Sequence, residues 1–246
     1  MPSSAYSLPA VFALLVLLVA MCTMLYQRDV LPADAAKDSQ PVIRFELART
    51  PADIRALFTD APQKPRIAFV DKMRFLTRLD FLFILFYTLF TFLFSWKAIQ
   101  ADPTVPNRFV LVLAVAVGLF DVLENIQLLG ILAKVEQNTM DTFQPELPRL
   151  SVFTWVKWEL TGLLMVLIAP FLWKGDSWSK GLAVFFLIVF LFGLLALEER
   201  LSDREGIDQA AHFTGLVLLA FGAFALYVIG KTLVYRFGRH RPIPTS

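Results

Sequence analysis

Six stretches of the chain are continuously apolar: about Leu8–Tyr26, Leu79–Trp96, Phe109–Ala133, Ser151–Trp173, Lys180–Leu197 and His212–Tyr235. About 20 apolar residues are enough for a helix to cross the hydrocarbon core of a bilayer. The pattern predicts an all-α, polytopic membrane protein with about six transmembrane helices, four of them forming a core. The segments divide as a first transmembrane helix within residues 1–26, a polar loop or cap over 27–78, helices two to four over 79–173, and helices five and six with a basic tail over 174–246. The first run lacks the Lys or Arg of a signal-peptide n-region and no A-x-A site follows it, so an uncleaved helix is expected. Met21 stands where a lipoprotein box before Cys22 would need a small residue.

The polar segment has its own pattern. Residues 27–40 have linker composition. Pro41 to Leu47 alternates weakly, which allows a short strand. Thr50-Pro51-Ala52-Asp53 reads as a helix start, with Thr50 as cap, Pro51 at the first helical position and Asp53 near the positive end of the dipole. That helix is expected to end near Phe58 or Thr59, before Pro62 and Pro65. From about Arg66 the periodicity turns helical again and can run unbroken into the second span.

Polar residues inside the apolar runs carry the chemistry. Asp121, Glu124 and Asn125 fall at i, i+3 and i+4 near the middle of the third span, on one helix face. An ionised group at a helix centre costs roughly 2.5–3.5 kcal/mol on insertion scales. Ala114 and Gly118 continue this face and permit close helix approach. Val115, Val117, Leu119 and Leu123 are left for lipid or other contacts. On the second span Asp80 shares a stripe with Tyr87, Thr88, Thr91 and Ser95, with Phe81, Phe86, Phe90 and Phe92 expected outward. On the fourth span Thr154, Lys157, Trp158 and Thr161 share a face, and Glu159 is rotated away.

Two readings of Lys157 compete. It can snorkel to the interface, where Trp155 and Trp158 would belong to an aromatic belt. Alternatively it pairs with Asp121 or Glu124. At 1.5 Å per residue Glu124 lies about 13 Å from the end of its helix, and Lys157 about 9 Å into the next from the same side. With six spans, the residues 27–78 and the loops after spans three and five share one side. Asp80, Asp121, Glu124, Asn125, Lys157, Glu199 and His212 all lie towards that side.

Composition narrows the classes. The chain is 57% hydrophobic and 18% charged, with a formal net charge of +2. It has no basic, aromatic-interleaved stripe for nucleic acid. One Cys and two His give no disulfide framework, no Cys-rich metal site and no HExxH. No Gly-rich phosphate loop or GxSxG elbow is present, and no cofactor is expected. The basic tail favours cytoplasmic termini in an inner membrane, although the segment 28–78 itself carries ten Lys and Arg.

The strings Phe45-Glu46-Leu47-Ala48, Thr50-Pro51, Leu79-Asp80-Phe81-Leu82-Phe83, Asp121 with Glu124-Asn125, and Lys157-Trp158 resemble a group of uncharacterised bacterial multipass membrane proteins. The resemblance covers about Phe45 to Trp173 and implies a helical membrane fold, with no activity attached. Spans five and six would then be an addition to a four-span core.

Three functions remain open. The cluster Asp80, Tyr87, Asp121, Glu124, Asn125, Lys157 and Thr161 can bind an ion, proton or lipid headgroup, with the bilayer as the one partner the sequence implies. It can serve a lipid-acting enzyme, with Asp121 or Glu124 as acid–base groups. Or it can be a structural network of hydrogen bonds between helices.

Overall fold

A computed structural model describes residues 7–28, 41–58, 66–102, 107–137, 143, 145–201 and 207–238. These residues form eight helices: α1 (Ser7–Arg28), α2 (Pro41–Glu46), α3 (Pro51–Phe58), α4 (Arg66–Ala101), α5 (Asn107–Glu136), α6 (Glu146–Trp173), α7 (Ser177–Leu201) and α8 (Ile207–Gly238). Six of them, all but α2 and α3, are long and apolar enough to cross a membrane. The chain is an all-α integral membrane protein. Residues 29–40 lie outside the described part.

The six long helices close a ring. Each packs on the next in chain order, from α4 through α5, α6 and α7 to α8, and α1 lies against both α4 and α8. Consecutive antiparallel helices joined by short connections favour such neighbours. Exposed aliphatic residues cover the outside, among them Val112, Val115 and Leu119 of α5 and Leu187, Ile188 and Leu191 of α7.

Helices α2 and α3 cap one end. The short stretch that alternates in sequence is helical, with the Leu47 N–H donating to the Ile43 carbonyl at 2.9 Å. The strand reading is therefore corrected. The alternation has a different cause: α2 is buried on two sides. Ile43 and Leu47 join the core of the bundle, while Phe45 and Ala48 join a second core under the cap. That second core also holds Ile54 and Phe58 of α3, Val70, Met73 and Leu76 of α4, and Leu128, Ile131 and Val135 of α5. Helix α3 starts as its sequence predicts. The Thr50 N–H donates to Asp53 Oδ2 at 2.8 Å, and the Asp53 N–H donates to Thr50 Oγ1 at 3.2 Å. This is a reciprocal capping box with Asp in place of Glu.

Helix α4 runs unbroken from Arg66, and at 36 residues it is about 54 Å long. That exceeds a hydrocarbon core of about 30 Å, so its first turns stand clear of the bilayer to carry the cap. Ion pairs lace the cap end, Arg74 to Glu136 at 2.6 Å and Lys134 to Glu146 at 2.7 Å. At the opposite end Lys174 pairs with Asp102 and Lys231 with Asp176. Trp96, Trp173 and Trp178 are exposed there, forming the aromatic belt of that interface.

The interior of the ring is filled with rings from several helices. Phe224 of α8 meets Phe90 at 4.8 Å, Phe94 at 4.6 Å and Phe186 at 5.5 Å between centroids. Phe90 thus points inward, contrary to the outward placement expected for it. It lies three residues after Tyr87, within about 60° of it around the helix, so the face that carries Tyr87 also buries Phe90.

Candidate functional site

The polar cluster lies between this aromatic filling and the core under the cap. Close approach of α4 and α5 sets it up. A Cβ added at Gly118 would fall 2.2 Å from Thr88 Oγ1, so the absence of a side chain there lets the two helices meet. Ala114 and Gly118 are both buried on this seam, and Val117 is buried as well rather than left to lipid. Antiparallel packing then brings two pairs together. Asn125 Nδ2 donates to Asp80 Oδ2 at 2.8 Å. The Tyr87 hydroxyl donates to Asp121 Oδ2 at 2.8 Å.

Helix α6 supplies the cation. Lys157 Nζ lies 3.1 Å from Asp121 Oδ1, forms an ion pair with Glu124 Oε2, and reaches Glu46 Oε2 at 3.5 Å. Its side chain is only 6% exposed. It does not snorkel. Its ammonium also stands 4.5 Å from the centre of the Trp158 ring, a favourable cation–π geometry. Trp155 is buried and Trp158 half-buried. Neither belongs to an interfacial belt, because the face that carries Lys157 and the flank beside it are turned into the bundle.

One member of the cluster escapes a reading of the sequence, and a second is only partly readable from it. Glu46 is the last residue of α2, in a segment that reads as a polar loop. It stands between Phe45 and Leu47, both buried once α2 folds back onto the bundle. Thr154 was legible only as a neighbour of Lys157 on the same face. Its hydroxyl lies 2.8 Å from Glu124 Oε1 and 3.2 Å from the backbone carbonyl of Glu46. It thereby ties the end of α2 to the floor of the bundle. Burial pushes the Glu46 carboxyl above the usual carboxylate range; the Lys157 ammonium opposes this and Asp121 adds to it.

The remaining expected members are placed as follows. Thr161 donates to the Lys157 carbonyl at 2.8 Å. Asp80 is half-buried and joins through Asn125. His212 is exposed on α8, and the Glu199 side chain lies outside the described part. Beside the cluster is a cavity of about 30 Å³. Its polar wall is Tyr87, Asp121, Lys157 and Thr161, and α8 closes it with Val217, Leu218 and Phe221. The space has about the volume of one water molecule, and most of its wall is apolar. Among the described residues no group of three His, Cys, Asp or Glu is placed to hold a metal ion; the centre between the carboxylates is filled by the Lys157 ammonium.

No family model, no curated protein and no solved structure matches the chain.

Proposed function

We propose that this integral membrane protein binds and releases a proton at the Lys157 cluster, as a proton-responsive transporter or sensor. The observation that carries this is the imbalance of charge. One buried ammonium faces three carboxyl groups, Glu46, Asp121 and Glu124. In a medium of low dielectric an uncompensated carboxylate takes up a proton rather than remain charged.

The hydrogen bonds support a specific assignment. Asp121 accepts from both Tyr87 and Lys157, which suits an ionised carboxylate. Thr154 has one hydroxyl proton and two acceptors within reach. Both are satisfied when Glu124 is protonated, donates from Oε1 to Thr154 Oγ1, and Thr154 donates to the Glu46 carbonyl. The cluster then holds one full ion pair, Lys157 with Asp121, while the Lys157 ammonium also donates to the carbonyl oxygen Oε2 of the neutral Glu124, and a further proton sits on Glu46. The cavity beside Asp121 has about the volume of one water molecule, a size that favours a proton as the ligand over a lipid headgroup.

The membrane topology follows the same reading. The Trp-bearing end carries Lys97, Arg108, Lys174, Lys180 and Lys231 against Asp102 and Asp176, and the sequence continues with Arg236, Arg239 and Arg241. We place this end and both termini in the cytoplasm of a cell whose plasma membrane the bundle spans. The cap then faces outward.

Infrared spectroscopy of the protein in lipid tests the proposal, because a protonated carboxyl has its own carbonyl band. The wild-type band is expected to titrate with bulk pH, to lose a component in Glu124→Gln and to keep it in Asp121→Asn. A spectrum that Glu124→Gln leaves unchanged, or a Glu124 component that never titrates, overturns it in favour of a purely structural network.

A further inference from the structure

Glu159 takes no part in the cluster. It lies midway along α6, two residues from Lys157 but turned to the other side of the helix. Val152, seven residues before it and therefore on the same face, is 50% exposed. Gly162, three residues after it, packs beneath Phe190 of α7, whose Cδ2 would be 3.3 Å from an added Cβ. Glu159 thus stands on the outer surface of the bundle beside the α6–α7 seam, at mid-membrane depth. It is half-buried, and its Oε1 is enclosed by protein. It has no hydrogen bond or ion pair with any described residue.

The helices packed on α6 offer it no counter-charge: Glu46 of α2 is turned to Lys157, and His212 of α8 is exposed near the end of its helix. Between Gly181 and Leu197, α7 has no charged residue; its Lys180 and Glu198 stand near the two ends. On α5 the charged residues between Phe109 and Ala133 are Asp121 and Glu124, both turned inward to Lys157. Lys134 and Glu136 are at the capped end of that helix. On α6 itself Lys157 points into the bundle, and Glu146 and Arg149 lie in the first turns. Among the described residues it belongs to no group of three His, Cys, Asp or Glu placed to hold a metal ion. A carboxyl so placed has one available ligand that removes its charge.

We infer that Glu159 is a second proton-binding carboxyl, reached from the lipid at the α6–α7 seam and separate from the cluster inside the ring. Binding a proton spares the bundle an anion held among aliphatic side chains. The site stands whether or not the interior cluster exchanges protons.

A lipid-soluble carbodiimide, dicyclohexylcarbodiimide, is the probe. It adds to a protonated carboxyl: the carboxyl oxygen bonds to its central carbon and the proton passes to its nitrogen. The full chain is reconstituted in phosphatidylcholine vesicles, treated at a series of pH values, digested and mapped by mass. Glu159 is expected to be modified while it is protonated, with the yield falling about tenfold per pH unit once the carboxyl ionises. The adduct disappears in Glu159→Gln and persists in Glu124→Gln, which separates this site from the interior one. Thermal unfolding of Glu159→Gln in the same lipid is expected to match the wild type, since the residue lies outside the core. Three results would overturn the inference: no modification of Glu159 at any pH, a yield independent of pH, or faster modification by a water-soluble carbodiimide than by the lipid-soluble one.

Discussion

Lys157 is the residue on which the others depend. Truncating one partner of a buried ion pair leaves an uncompensated charge and costs about 3–5 kcal/mol. Lys157→Met is therefore expected to lower stability by about that amount, as measured by unfolding in mild detergent. Asp121→Asn added to Lys157→Met should recover most of the loss, because the stranded anion is removed with its partner. Glu124→Gln alone should stay close to wild type, since the amide can reproduce the hydrogen bond to Thr154. If Glu124→Gln costs as much as Asp121→Asn, the assignment of the proton to Glu124 is wrong. Much of this was legible from spacing. Asp121, Glu124 and Asn125 on one face, and Lys157 at a matching depth of the next helix, follow from 3.6 residues per turn and antiparallel connection. Glu46 was not legible. Nothing local marks a glutamate in a polar segment as buried, and only the folding back of α2 onto the bundle makes it so.

The elements depend on two contacts that can be broken separately. The first is the α4–α5 seam at Gly118. An Ala there pushes its Cβ into Thr88, and such overpacking typically costs about 1–3 kcal/mol. Thr88→Ala, which removes the 2.2 Å contact with Oγ1, should relieve part of the cost; a loss that Thr88→Ala leaves untouched would show that the seam is not where the strain falls. The second contact is the seat of α2 on Thr154 and Lys157. The Glu46 carboxyl is raised by burial from an ordinary value of 4.5, so the seated state binds a proton that the released state gives up. The seated state is fully favoured below 4.5, and its advantage declines as pH rises from there to the raised value. Hydrogen exchange of residues 41–58, corrected for its intrinsic pH dependence, should therefore quicken with rising pH across that window. In Glu46→Gln the dependence should flatten. The start of α3 was readable because Thr50, Pro51 and Asp53 act within one turn. The helical state of α2 was not, because its alternating burial arises from two cores above and below a single helical turn, a tertiary cause that imitates the period of a strand. The inward turn of Phe90 follows from its angle to Tyr87 around the helix, which residue type alone does not reveal.

At the scale of the whole molecule, the two ends of the ring are chemically different, and this difference carries the topology. One end holds three exposed tryptophans and mostly lysine; the other is covered by α2 and α3 and edged by mixed ion pairs. Six spans were legible from apolar length alone. Their closure into a ring was not, because hydropathy marks where a helix lies and carries no information on which helix it touches. The ends are also tied differently. At the Trp-bearing end the Asp176 carboxyl accepts from the Ser179 N–H at 3.0 Å and caps α7. Hydrogen bonding to Lys231 lowers it to about 2, so this tie persists down to strongly acid pH, whereas the seat of α2 responds near and above 4.5. Acidification thus leaves both ends of the ring fastened, and alkalinisation loosens only the cap. The consequence depends on which compartment the cap faces. In a Cys22→Ser background, Ala56→Cys places a thiol on the exposed face of α3, and Ser177→Cys places one at the exposed start of α7. A membrane-impermeant maleimide added to intact cells should modify Ala56→Cys at once and Ser177→Cys only after the membrane is opened. The reverse order would put the cap in the cytoplasm, where pH is held nearly constant, and a cap that loosens with pH would then have no varying signal to read. The labelling order therefore decides whether the pH-dependent end of this protein meets the changing side of the membrane.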